Sequence, residues 1–334
     1  MKMKYFITLL TFLSFMGIQL TAQQIVKFTI TDGVSNGYLK NQIESNVSQF
    51  LTELNRAGSG GRNLQLGQVP ITTNAVRSLS LLWNNLHFVC EENDIYEHCN
   101  TTVNGYQVRN IPIKVIPIIE DYDGELERQL TISLSREGEI TGARMAMDNH
   151  VYTNIIKKGD AVDMARREEI LKFVEDFRSH YDEKDIEALN QVFSDEALII
   201  TGTVVMKRDN KGDQPKMHPE IVYRTQNKQQ YLSRLKDTFH KNKYIKVTFS
   251  DPEVVRSKKN PNFFGVTLHQ HWDSSNYKDD GYVFLLWEFH ENDEPPIIHV
   301  RTWQPDKMAG MPTPKEQIIN ILDFEIPAKK RTIQ

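Results

Sequence analysis

The sequence predicts an α+β protein in which an antiparallel sheet packs on helices, with two such units in tandem. Three observations lead there. The second half runs helix, helix, short strand, helix and then four extended segments. Its apolar residues recur every three or four positions in the helical pieces and every second position in the extended ones. The first half repeats the same order of pieces in a different composition.

The chain opens with Met1-Lys2-Met3-Lys4, then an apolar run from Tyr5 to Leu20, then Thr21-Ala22-Gln23-Gln24. A basic start, a short apolar stretch and a small residue before polar ones make a secretory signal peptide over residues 1–22, cut after Ala22. The run is shorter than the ~20 residues of a spanning helix, and no cysteine stands at the cut to carry lipid. The expectation is an exported chain, periplasmic or secreted, not lipid-anchored and without a membrane span after cleavage.

Residues 23–158 form the first expected unit, an α+β domain that is either a degenerate second copy of the later unit or an unrelated helix-and-sheet fold. Leu39 to Leu54 carries Ile43, Val47, Phe50, Leu51 and Leu54 on one helical stripe, and Thr72 or Thr73 caps a second helix running to Trp83. Strands follow at Leu86–Cys90, Tyr106–Ile119 and Leu130–Ser135. The turn Glu137-Gly138-Glu139 leads into Ile140–Met147. Two cysteines, Cys90 and Cys99, bracket a polar stretch. In an exported chain an even number of close cysteines predicts a disulfide, here closing a short loop for about 2–3 kcal/mol. Asp148 to Asp163 reads as the linker.

Residues 160–305 form the second unit. Ile170, Phe173, Val174, Phe177 and Tyr181 share one stripe of a helix from Ala165 to Tyr181. Asp185 caps a short helix carrying Ile186, Leu189 and Val192. Ala197–Thr201 is a short strand, residues 206–218 a polar loop, and Gln229–Phe239 a third helix. Extended segments at Ile245–Arg256, Phe263–Trp272, Tyr282–His290 and Ile297–Trp303 complete the pattern, with Asn-Pro-Asn and Asp-Asp-Gly turns between them. Residues 306–334 are a C-terminal extension whose Lys329-Lys330-Arg331 reads as a solvated tail.

The passage Asp185-Ile-Glu-Ala-Leu-Asn-Gln-Val-Phe-Ser-Asp-Glu-Ala-Leu-Ile199, with this element order, resembles the nuclear transport factor 2-like superfamily over residues 165–305. That superfamily includes SnoaL-like and ketosteroid isomerase-like proteins. The resemblance implies a cone whose mouth can hold a small ligand. It also implies, for the isomerase-like members, a carboxylate base and an oxyanion site containing a tyrosine. An ungapped match puts Phe177 at the tyrosine and Thr201 at the base. Phenylalanine donates no hydrogen bond and threonine does not titrate, so no catalytic residue is assigned.

Other chemistry is sparse. Strand alternation puts Thr267, His269 and His271 on one face, with Glu288, His290, His299 and Arg301 beside them. His269 and His271 together suit a metal, yet nothing supplies a third ligand, so no metal and no cofactor are expected. That polar face fits an outer surface, a homodimer interface or a contact between the two units. Trp272 and Trp287 line the cone or fill its core. The acidic turn Glu120–Glu125 lacks the twelve-residue calcium pattern. Gly58-Ser-Gly-Gly61 lacks the Lys-Ser or Lys-Thr of a phosphate loop. There is no nucleophile elbow and no zinc-protease helix. A net charge of −4 argues against a nucleic-acid partner. The leading expectation is a non-catalytic binding or interaction protein for a small ligand or a protein partner. The alternative is a SnoaL-like isomerase, cyclase or hydrolase acting in the cone through the weak lining set Phe177, Thr201, Trp272 and Trp287.

Overall fold

A computed structural model describes residues 25–102, 104–118, 122, 125–147, 164–209, 216–290 and 294–327. The expected signal peptide and linker, most of the acidic turn and the basic tail lie outside these residues.

The first unit begins with β1 (Lys27–Ile30) and α1 (Gly37–Gly60). Asn36 caps α1 by accepting from the amides of Tyr38 and Leu39, and Gly61 ends it in the left-handed conformation at φ 57. The glycine-rich stretch is therefore a helix stop. Thr72 caps α2 (Thr73–Asn85). Then come β2 (His87–Val89), β3 (Asp94–Glu97), β4 (Cys99–Thr102), β5 (Gly105–Ile116), β6 (Glu127–Leu134) and β7 (Ile140–Met145). The sheet order is β2-β5-β6-β7, with β4 also on β5 and β1 lying parallel to β3. The α1 stripe, including Ile43, Val47, Phe50 and Leu54, packs on the inner sheet face of Val108, Ile132, Leu134 and Ala143.

The second unit is α3 (Met164–Asp182), α4 (Ile186–Val192), β8 (Phe193–Asp209), β9 (Lys216–Asn227), α5 (Lys228–Lys241), β10 (Ile245–Arg256), β11 (Phe263–Ser274), β12 (Tyr277–Glu288) and β13 (Ile297–Pro305). Asp185 caps α4, as its position predicts, and Asn227 with Gln230 forms a capping box on α5. The sheet order is β10-β11-β12-β13-β8-β9, with β13 and β8 parallel and every other pair antiparallel. This order matches the cone that the resemblance implies: two helices, a hairpin, a helix and a four-strand meander that closes on the hairpin's first strand. The first unit has the same order in reduced form. Its parallel step is a single bridge between Ile71 and Ile140.

The hairpin is longer than the sequence suggests. Pairing from Leu198↔Asn227 out to Asp209↔Lys216 turns most of the expected loop into a two-stranded ribbon. The C-terminal extension is also structured. After β14 (Lys307–Met308) and β15 (Met311–Pro312), Ile321 and Ile326 pack against Phe263, Phe284, Leu286 and Val300 on the outer sheet face. The chain's own tail thus covers part of the face considered for a homodimer.

Two expectations are corrected. Cys90 and Cys99 are separate buried thiols. Val89 pairs with Lys114 and Cys99 with Val108, so the two stretches dock on the same edge of β5 six residues apart. That is roughly 15–20 Å of strand, beyond the ~7 Å a disulfide spans. Arg301 is the second. A bulge between Ile298 and Val300 breaks the alternation of β13. Ile298 faces the cone, Val300 faces outward, and Arg301 turns back inside, 5% exposed and over the Tyr231 ring at 5.1 Å.

Candidate functional site at the junction of the two units

The cone itself is filled. Phe177 is 1% exposed and packs edge-on against Tyr181, Phe193 and Trp287, and stacks on Phe249. Trp272 meets Tyr181, and Trp287 meets Phe173 and Phe289. The Tyr181 hydroxyl is 2.7 Å from that of Tyr231. Thr201 is half-buried, two residues beyond Ile199 of the core. The lining residues therefore come together as packing.

The polar histidine face does not converge. His269 faces Asp306 at 3.3 Å, His271 faces Asp280 at 2.8 Å and His299 faces Glu288 at 2.7 Å. Each imidazole has its own carboxylate on the outer surface, and none lies between the two units.

The junction is built from helix α3. Its apolar stripe enters the cone. Its opposite face is polar and lies on the outer face of the first unit's sheet. No residue from Arg166 to Asp185 is exposed. The Arg109 guanidinium on β5 forks onto the Glu175 carboxylate at 3.0 and 2.5 Å. Arg144 on β7 reaches Asp176 at 3.0 Å, and Lys172 joins the same carboxylate at 2.8 Å. Arg178 donates to the carbonyls of Met145 and Ala146. On α2, Arg77 grips both oxygens of Asp185 at 2.7 Å and reaches Glu187 at 2.8 Å. Burial alone would raise the Asp176 carboxyl, but Arg144 and Lys172 overcome it and hold it at about 2.

Beside these pairs opens a cleft of about 400 Å³. One wall is the β4–β7 face, with Asn100, Thr102, Gln107, Ser133 and Thr141 offering neutral amides and hydroxyls. The other wall is α3, with Glu168, Lys172 and Phe173. Burial raises the Glu168 carboxyl. Tyr106 and Phe173 add aromatic surface, so the cleft combines hydrogen-bonding groups with rings.

The end of α3 makes a second cluster. Lys184 adopts φ 56, a left-handed conformation uncommon without glycine. The Asp185 amide bonds back to the His180 carbonyl at 2.8 Å and the Lys184 amide to that of Tyr181 at 3.0 Å. The Lys184 ammonium is anchored on the carbonyls of Asn242 and Lys243. This turn folds Asp185 back beside His180 and Glu183, so one ligand atom from each lies within 4.8 Å of the others. Burial pushes the Glu183 carboxyl up to about 7, against Arg144, and the His180 imidazole down to about 4.

The cleft and the junction escape a sequence reading because α3's polar face looks solvated. The available signals are Arg109 inside the apolar run of β5, Arg144 inside β7, and the spacing His180-x-x-Glu183-x-Asp185.

No family model matches the chain, and a comparison with curated proteins finds no match. Among solved structures it is similar to Bd1075 of Bdellovibrio bacteriovorus, with 18% identity over 50% of this chain and a TM-score of 0.32. The match spans 47% of Bd1075, less than half its length. A nuclear transport factor 2-like protein of unknown function from Pseudomonas putida matches over 45% of this chain and 93% of its own, with 8% identity and a TM-score of 0.33. One from Cytophaga hutchinsonii matches over 42% and 98%, with 13% identity and a TM-score of 0.32. The fold assignment of the second unit rests on its own strand order and pairing, given above.

Proposed function

We propose that the chain is an exported, non-catalytic binding protein whose small polar ligand seats in the cleft between its two units. The cleft carries this reading. Its volume falls in the range of small-ligand sites, ~300–1,000 Å³. Its neutral amides and hydroxyls suit a ligand rich in hydroxyl or amide groups, and Tyr106 and Phe173 suit a flat apolar side of it. The ion pairs behind it hold both walls in place before binding, which lowers the entropic cost of association. A SnoaL-like reaction would need room inside the cone, where Phe177, Trp272 and Trp287 pack instead. Export rests on residues 1–22. Among the described residues no helix is long and apolar enough to cross a membrane.

Native mass spectrometry of the protein purified from its own cell envelope tests the reading. A retained small molecule that is lost in a cleft-filling Ser133→Trp variant, and kept in Phe177→Ala, supports it. A molecule kept by Ser133→Trp and lost by Phe177→Ala moves the site to the cone.

A further inference from the structure

We propose that His180, Glu183 and Asp185 hold a divalent metal ion of the zinc type, bracing the junction independently of any ligand in the cleft. Three facts converge. The three donors lie within 4.8 Å of one another, a spread that one ion can close. Glu183 is 1% exposed, and its carboxylate oxygens have no close hydrogen-bond partner beyond the Ser78 hydroxyl; the Nδ1 of His180, 9% exposed, has none. Dry, unpartnered polar atoms are rare in folded proteins, and a cation supplies what these lack.

The third fact is that the site is built. The left-handed turn at Lys184 brings Asp185 onto the face carrying His180 and Glu183. Asp185 is then oriented from outside, as metal-binding carboxylates are. Its Oδ1 accepts from Arg77 and from the Ala188 amide, while Oδ2 accepts from Arg77 alone and keeps a lone pair for an ion. The nearby cations are already engaged, Arg77 by Asp185 and Glu187 and Arg144 by Asp176. One imidazole with two carboxylates suits zinc and its neighbours. Calcium and magnesium prefer all-oxygen shells.

The test uses the full chain, stripped with chelator and titrated with zinc chloride by calorimetry, with calcium chloride as contrast. The expected result is one zinc equivalent, at least tenfold weaker in Glu183→Gln and in His180→Gln, and no comparable uptake of calcium. Zinc raises the melting temperature of the parent chain and leaves both variants unmoved. Failure of the parent chain to bind saturably overturns the proposal, and so does equal binding by folded variants, which would point to the surface histidines. If both variants misfold, X-ray absorption of the parent zinc complex decides. A shell with one histidine nitrogen among oxygens supports the site, whereas sulfur or several imidazoles overturn it.

Discussion

Arg109 and Glu175 meet as a two-pronged ion pair across the junction, with side chains only 7% and 5% exposed. One sits on a strand of the first unit and the other on a helix of the second. The same carboxylate also accepts from the Met147 amide at 3.2 Å. Removing one partner leaves a charge buried alone. Arg109→Ala is therefore expected to cost about 3–5 kcal/mol, read by urea unfolding at pH 7. Replacing both residues with leucine is expected to cost less than that single change, and a double mutant that is worse than either single would sink this account.

Acid should loosen the junction only at low pH. Asp176 titrates near 3.9 in an unfolded chain and at about 2 here. Its folded value is depressed, so its contribution is complete above about pH 4 and disappears as pH falls through 2. The gap in stability between the protein and Asp176→Asn is expected to be about 2 kcal/mol at pH 7. It should shrink steadily between pH 4 and pH 2. A gap that is constant over that window would show that the carboxylate's charge is not what matters.

The filled cone makes its own prediction. Phe177 meets four aromatic rings, those of Tyr181, Phe193, Phe249 and Trp287, and Phe177→Ala leaves a cavity. The expected cost is about 3–5 kcal/mol, measured by chemical denaturation. Phe177→Leu, closer in volume, should cost clearly less.

The two thiols can be counted directly. Burial pushes Cys90 up to about 12, with Glu92 adding to it, and pushes Cys99 up to about 11. Neither is expected to react with iodoacetamide at pH 8 while the protein is folded. Both should be alkylated once it is denatured without reductant, a mass gain of two carbamidomethyl groups. Zero groups after denaturation would mean that a bridge forms after all.

The sequence reads well where one face of an element is apolar and the other wet. The stripe of Ile170, Val174, Phe177 and Tyr181 identifies α3, and the alternation of Val283, Leu285 and Trp287 identifies β12. It reads poorly where that rule fails. The polar side of α3 is buried on another polar surface, which hydropathy cannot distinguish from solvent. Strict alternation misplaces Arg301, because one bulge at His299 reverses the faces of β13. The β8–β9 ribbon looks like a loop because its polar residues satisfy each other across the pair, as Lys207 does with Glu220 at 2.6 Å. The cleft belongs to neither unit alone, so no local pattern announces it.

Helix α3 has one more consequence, in its tolerance of change. Most surface helices accept substitution on the wet side, and a scan of all variants shows a rhythm of permissive and strict positions every three or four residues. Here hydrocarbon neighbours constrain one side and paired charges the other. Between Arg166 and Asp182 that rhythm should flatten into near-uniform intolerance. The permitted replacements should still alternate, apolar for apolar on one flank and charge for like charge on the other.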